Sequence, residues 1–326
     1  MDFTTIACVF PGQGSQKQGM LAEFSENAVV RETFSEASDA LGYDLWDLIQ
    51  NNSNGKLDQT EFTQPAMMVA DVAIYRVFRQ KLQELNLMSP EENFAFMAGH
   101  SLGEYAALVC AESISLRDAT ILVGHRGRLM QETIPEGVGA MAAIIGLSDE
   151  QVIELCKKAA QDQILEAANF NSVGQVVIAG NTEAVNRGIA MALNEGAKLA
   201  KVIPVSVPCH CYLLYPVAEA SSAYLAEMAI VSAKVPVIHN VQADTLSSPE
   251  EIRTILKQQL YLPVQWVATI RKMIESGVKH IIECGPGSVL TGLNKRIDRS
   301  IQCHSIFDPE SLEKVLEKVL NNLGAA

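Results

Sequence analysis

Gly99-His100-Ser101-Leu102-Gly103 has the spacing G-x-S-x-G, which sets a serine on a tight strand-to-helix turn where side chains on either flank would clash. The turn lifts the hydroxyl clear of a sheet. The helix beyond it aims its N-terminal N–H groups and positive dipole end at any oxyanion formed there. That is equipment for nucleophilic attack on a carbonyl carbon. A serine alcohol needs a base to take its proton, and the chain offers His100, His125, His210, His239, His280 and His304. His210 follows Val207-Pro208-Cys209 and leads, on the expectation that it sits at a strand tip opening onto a cleft. His100 must point to the other side of the serine turn, a supporting position. His280 lies in an apolar strand and reads as packing or solvent-facing.

Three other features invite chemistry. Pro11-Gly12-Gln13-Gly14-Ser15-Gln16 follows the first strand, but Lys17 stands where a dinucleotide fingerprint needs its third glycine, and Met20-Leu21 where a P-loop needs Lys-Ser/Thr. What remains is a turn whose backbone approaches something closely and could lend an N–H to an oxyanion. Cys209-His210-Cys211 cannot easily converge on one ion, and no second cluster completes four ligands, so no metal is expected. Arg126, in the apolar stretch Gly124 to Met130, reads on its own as a surface residue with a buried stem.

These residues need elements to position them. Ile6 to Phe10 is an apolar run that stops at Pro11-Gly12; Phe94 to Ala98 runs into the serine turn; Lys279 to Cys284 ends at Gly285-Pro286-Gly287. All three read as buried strands. Helical spacing runs from Pro65, placed in a first turn, to Phe78, and again over Leu102 to Ala111. Ser248-Pro249-Glu250-Glu251 opens a further helix by capping-box logic. Strands alternating with helices predict a mostly parallel sheet covered on both faces, an α/β-hydrolase-like body. The middle differs. Strands over Ala140–Leu147, Ile164–Asn169, Gln175–Gly180 and Lys198–Val205, with helices after Ser148 and over Thr182–Asn194, give β-α-β-β-α-β, the ferredoxin-like order. The division expected is a large domain of residues 1–133 and 206–326 with an inserted subdomain of 134–205.

With 326 residues, 48% of them hydrophobic and 19% charged, the chain supports about two ordinary domains. The net charge of −13 repels a phosphate backbone and argues against nucleic-acid binding. Seven cysteines without a C-x-x-C pair read as reduced thiols in a cytoplasmic protein. The N-terminus lacks the pattern of a signal peptide, and no apolar run reaches the ~18 residues of a membrane span.

Seven segments occur in register: Phe10 to Gln16, Thr63-Gln64-Pro65-Ala66, Gly99 to Tyr105, Arg126-Gly127 with Met130-Gln131-Glu132, Val207 to His210, Pro263-Val264-Gln265-Trp266 and Glu283 to Gly287. Together they closely resemble the malonyl-CoA:acyl-carrier-protein transacylases of bacterial type II fatty acid synthesis, over nearly the whole chain. The resemblance implies that Ser101 carries the malonyl group as an ester and His210 is general base, then acid. It implies a backbone carbonyl near Gln259 orienting the histidine, and oxyanion donors at the N–H groups of Gln13 and Leu102. It gives Arg126 the free carboxylate of the malonyl group, with Gln64 and Met130 lining the pocket. The partners implied are malonyl-CoA and acyl carrier protein, with no cofactor and no membrane. Both partners are anionic, so a local basic rim is expected, with Lys198, Lys201, Lys295, Arg296 and Arg299 as candidates. An acyl hydrolase on the same scaffold, a catalytically silent carrier-binding module and a stand-alone polyketide acyltransferase are the competing readings.

Overall fold

The computed structural model describes residues 3–323 apart from Glu136 and Ser206; Ser206, Met1, Asp2 and 324–326, all within the expected domain ranges, lie outside the described residues. The chain opens with β1 (Ile6–Phe10), α1 (Ala28–Leu41), α2 (Leu45–Asn51), α3 (Thr60–Glu84), β2 (Phe96–Gly99), α4 (Gly103–Cys110) and α5 (Leu116–Thr133). It continues through β3 (Gly139–Ile145), α6 (Asp149–Ala160), β4 (Leu165–Ser172), β5 (Gln175–Asn181), α7 (Thr182–Asn194) and β6 (Leu199–Ile203). Short helices α8 (Tyr215–Ala220) and α9 (Ser222–Glu227) lead to β7 (Val237–Ile238), α10 (Pro249–Gln259), α11 (Trp266–Glu275), β8 (His280–Cys284), α12 (Val289–Ile297), β9 (Gln302–Ile306) and α13 (Pro309–Leu323).

One sheet has the order β7-β2-β1-β8-β9, and every pairing in it is parallel. Parallel sheets need cover on both faces, and the strands show it by two-residue alternation. Ile6, Cys8 and Phe10 pack with apolar residues of α1, α3, α4 and α5, while Ala7 and Val9 pack with Trp266, Ile270, Leu290 and Leu293 of α11 and α12. Phe10 pairs with Gly99, so the loop after β1 and the turn after β2 leave the sheet side by side at its C-terminal edge, where open parallel sheets place their sites.

The second sheet, order β4-β5-β3-β6, is antiparallel throughout. One face carries α6 and α7 over Ile144, Val176 and Ile178; the other meets Cys211 through Met141, Ala168, Val177 and Ala179. Main-chain bonds Phe170 N–H to Val264 O (2.9 Å) and Val264 N–H to Ala168 O (2.9 Å) stitch this sheet to the segment before α11. Ser148 and Gln151 form the expected capping box of α6.

Two local expectations change. The helix bearing Pro65 starts at Thr60, so the proline sits in the second turn; it withholds the N–H that would meet the Glu61 carbonyl, near an end where such bonds are few. The strand expected to reach Val205 stops at Ile203, so His210 lies in a loop and not at a strand tip.

Candidate active site

Ser101 lies between the end of β2 and the start of α4 with φ of 52°, the left-handed conformation of a nucleophile elbow. Crowding explains its glycines: a Cβ at Gly99 would sit 1.8 Å from the Gly103 carbonyl carbon, and one at Gly103 2.1 Å from Phe10 O. The Ser101 N–H donates to Asn240 Oδ1 at 2.6 Å, and Asn240 Nδ2 donates to Gly99 O at 2.6 Å. One amide therefore clamps both sides of the turn.

His210 also holds positive φ, 61°. Two carbonyls at the end of α10 fix it: Leu260 O accepts its main-chain N–H at 3.0 Å and Gln259 O accepts Nδ1–H at 2.8 Å. Terminal carbonyls of a helix lack intrahelical donors, so they are free for this use. A carbonyl can only accept, so the proton is on Nδ1 and Nε2 presents its lone pair. That lone pair meets Ser101 Oγ at 2.7 Å. Burial, then the charge of Arg126, then His100 push the imidazole down to about 3, against the pull of the Gln259 carbonyl. His210 is neutral at neutral pH and able to accept a proton.

Arg126 overturns its stand-alone surface reading. It is 3% exposed, because α5 turns this face inward over Tyr105, whose ring lies 5.6 Å from the guanidinium carbon. Its Nη2 donates to Gln259 Oε1 at 3.4 Å, and Nε has no hydrogen-bond partner among the described residues. None of the ion pairs among those residues includes it. A buried cation in that state is strongly disfavoured until an anion reaches it.

Ser101, His210, Arg126, Gln64, Gln13 and Leu102 all line one cavity of about 470 Å³ between the two sheets. Gln64 Nε2 contacts Met130 Sδ at 3.5 Å while its Oε1 is unpartnered. Met130, expected in the pocket wall, is fully buried beneath Gln64 and is not among the lining residues. The close approach expected of the first loop is at Gly12, where a Cβ would lie 2.6 Å from His100 O. His100 plays a supporting part: Nε2 bonds Asn171 Oδ1 at 2.7 Å, joining the elbow to β4, and the ring packs on Trp266. Lys198, Lys201, Lys295, Arg296 and Arg299 are exposed, and Arg296 donates to Gln175 Oε1 at 3.0 Å, bridging α12 and β5. Among the described residues no cluster of three His, Cys, Asp or Glu could hold a metal, and no helix is long and apolar enough to cross a membrane.

Sequence reasoning missed Asn240, Glu104 and the Gln259 side chain. Glu104 is wholly buried and accepts from His239 Nδ1 (2.8 Å), Asn240 N–H (3.0 Å) and Gln259 Nε2 (2.9 Å). The one available signal was position: Glu104 directly follows the elbow, on the first turn of a helix that is otherwise apolar.

The chain is 48% identical over 315 residues to the malonyl CoA-acyl carrier protein transacylase of Escherichia coli strain K12, covering 96% of this chain and 99% of that one. It is 49% identical over 313 residues to the protein of the same description from Haemophilus influenzae, covering 96% and 98%. Among solved structures it is similar to an acyl carrier protein S-malonyltransferase from Vibrio cholerae, with a TM-score of 0.90, 48% identity, and 95% and 99% of the two chains covered. It is also similar to a malonyl-transacylase solved with its type II PKS acyl-carrier protein, with a TM-score of 0.91, 47% identity, and 96% and 99% covered. The family model described as acyl transferase domain matches residues 7–306, and the chain belongs to that family.

Proposed function

We propose that the chain transfers a malonyl group from malonyl-CoA to the phosphopantetheine thiol of acyl carrier protein through an ester on Ser101. The observation that carries this is the shared cavity: a hydroxyl in contact with a neutral imidazole, and in the same walls a buried guanidinium without a carboxylate partner among the described residues.

His210 Nε2 takes the Ser101 proton as Oγ attacks the thioester carbon. The tetrahedral oxyanion is held by the N–H groups of Leu102, at the start of α4, and Gln13. As it collapses, the C–S bond breaks and the proton on Nε2 passes to the departing CoA sulfur. In the second half the carrier thiol gives its proton to Nε2 and attacks the ester; the C–Oγ bond breaks and Oγ recovers the proton. This is ping-pong transfer. Arg126 takes the malonyl carboxylate as a fork, and Gln64, with a free Oε1, lies alongside. An acetyl group would leave the cation unpaired, a basis for discrimination. Met130 contributes by supporting Gln64.

The strand order and direction of the second sheet support a ferredoxin-like subdomain over 134–205, inserted in an α/β-hydrolase-like body of 1–133 and 206–326. Free thiols throughout fit a cytoplasmic protein. The test is intact mass after incubation with malonyl-CoA or acetyl-CoA, with and without holo-carrier. A malonyl adduct on Ser101 that disappears when holo-carrier is added is expected; adduct that hydrolyses without carrier would make the chain a hydrolase.

A further inference from the structure

The mechanism above uses only the main-chain carbonyl of Gln259. Its side chain, wholly buried, is as fully engaged. Nε2 donates to the Ser101 carbonyl at 2.9 Å and to Glu104 Oε2 at 2.9 Å, and Oε1 accepts from Arg126 Nη2 at 3.4 Å. These partners fix the amide's orientation: flipped, its oxygen would face a carbonyl and a carboxylate, and its NH2 a guanidinium. Glu104 is itself held by His239 and the Asn240 main chain, and Asn240 clamps the elbow. One glutamine thus touches the nucleophile's backbone, the base and the buried cation.

We infer that the Gln259 side chain is a specificity-determining positioning residue, which sets Arg126 at the depth of an acyl group's terminal carboxylate and ties that anchor to the Ser101 elbow. The inference rests on the reading that Arg126 receives that carboxylate.

An arginine side chain is long and loses much rotamer freedom when held in one place. Tyr105 restrains the guanidinium through its ring and a side-chain hydrogen bond, and Gln259 Oε1 adds a directional contact that also reaches the elbow. At 3.4 Å this bond is long, so it locates the cation without competing with a carboxylate, whose charge-assisted bonds close to about 2.7–2.9 Å. Oε1 also carries no full charge, so the guanidinium stays available to an anion. Without the amide, Arg126 would keep only its contacts with Tyr105 and would sample other rotamers. Acyl groups that need the cation would then suffer more than those that ignore it.

The test is Gln259→Met, which keeps the main-chain carbonyl for His210 and the side-chain length, with Gln259→Asn, an amide one methylene shorter, as a second variant. Melting temperature and circular dichroism establish which are folded. Transfer from malonyl-CoA and from acetyl-CoA is measured for each, beside Arg126→Ala. A fall of tenfold or more in malonyl-over-acetyl preference, carried by a higher KM for malonyl-CoA, is expected. Equal losses for both substrates, or wild-type preference in the folded variants, would overturn the inference. If Arg126→Ala keeps wild-type preference the reading of the cation fails; if it loses preference while the Gln259 variants keep theirs, only the role of Gln259 fails.

Discussion

Ser101 Oγ and His210 Nε2 meet at 2.7 Å across a gap where both residues hold left-handed backbone, φ 52° and 61°. Each such conformation costs an L-residue roughly 1–2 kcal/mol, and each is held by bonds from elsewhere: Asn240 for the serine, the end of α10 for the histidine. The strain is what turns the hydroxyl and the imidazole toward each other. Because those bonds are to backbone, removing the hydroxyl leaves the frame standing. Ser101→Ala should fold with a melting temperature close to that of the parent and give no mass increase with malonyl-CoA, with transfer down by about a thousandfold or more. A covalent adduct on the variant would show that another residue is the nucleophile.

The depressed basicity of His210 has a consequence for stability. Its imidazole falls from an ordinary 6.5 to about 3 in the folded chain. Above the ordinary value both folded and unfolded forms are neutral and pH has no effect through this group. Between about 6.5 and 3 the unfolded chain binds a proton that the folded chain refuses, so stability drops as pH falls through that window. The full effect is on the order of 5 kcal/mol. His100, His280 and His304 are lowered as well, so the contribution is read by difference: urea unfolding of wild type and His210→Asn at several pH values from 4 to 7 should give a shallower slope for the variant. Parallel curves would mean that the imidazole is not held neutral.

The sequence carried the elbow plainly because its glycines answer to local backbone crowding, which five adjacent residues can report. Arg126 carried no such mark. Its burial depends on which face α5 turns toward Tyr105 and Gln259, the latter 133 residues distant in the chain, and only resemblance to relatives pointed to it. His210 was legible as a residue type but misplaced on a strand tip, since its loop is shaped by carbonyls of α10, 49 positions further on. Asn240 and Glu104 were silent for the same reason: their work lies in contacts across 139 and 155 positions. The strands of the two sheets could be read because short apolar runs bounded by turn residues are a local signal. What closes them into a single cavity is not.

Two glycines predict opposite effects. At Gly12 a Cβ would lie 2.6 Å from the His100 carbonyl oxygen, a backbone atom that cannot rotate away. Gly12→Ala should push the first loop, with the Gln13 N–H, off the elbow. Transfer should drop tenfold or more, toward the roughly 10²–10³-fold that follows outright loss of an oxyanion donor. At Gly292, inside α12, a Cβ would meet nothing within 4 Å. Gly292→Ala should therefore stabilise the chain by roughly 0.5–1 kcal/mol through helix propensity alone. Thermal melts and steady-state transfer assays check both; an active Gly12→Ala would detach that loop from the chemistry.

Glu283 supports the far wall of the cavity. Its buried carboxylate accepts from Leu290 N–H at 3.0 Å and Thr291 N–H at 2.7 Å, capping the first turn of α12 from a strand of the parallel sheet. Val289, Leu290 and Leu293 of that helix line the cavity. Glu283→Ala would leave two buried donors without acceptors and remove a negative charge from the positive end of the helix dipole, a loss on the order of 2–3 kcal/mol. Glu283→Gln, which keeps a carbonyl oxygen for one donor, should lose less. Because the helix end shifts and not the nucleophile, the expected kinetic change is a higher KM for malonyl-CoA with acylation at saturation largely kept. Urea unfolding and initial-rate measurements separate the two effects. Wild-type stability in Glu283→Ala would show that α12 is set by its packing on Trp266 and Ile270 rather than by its cap.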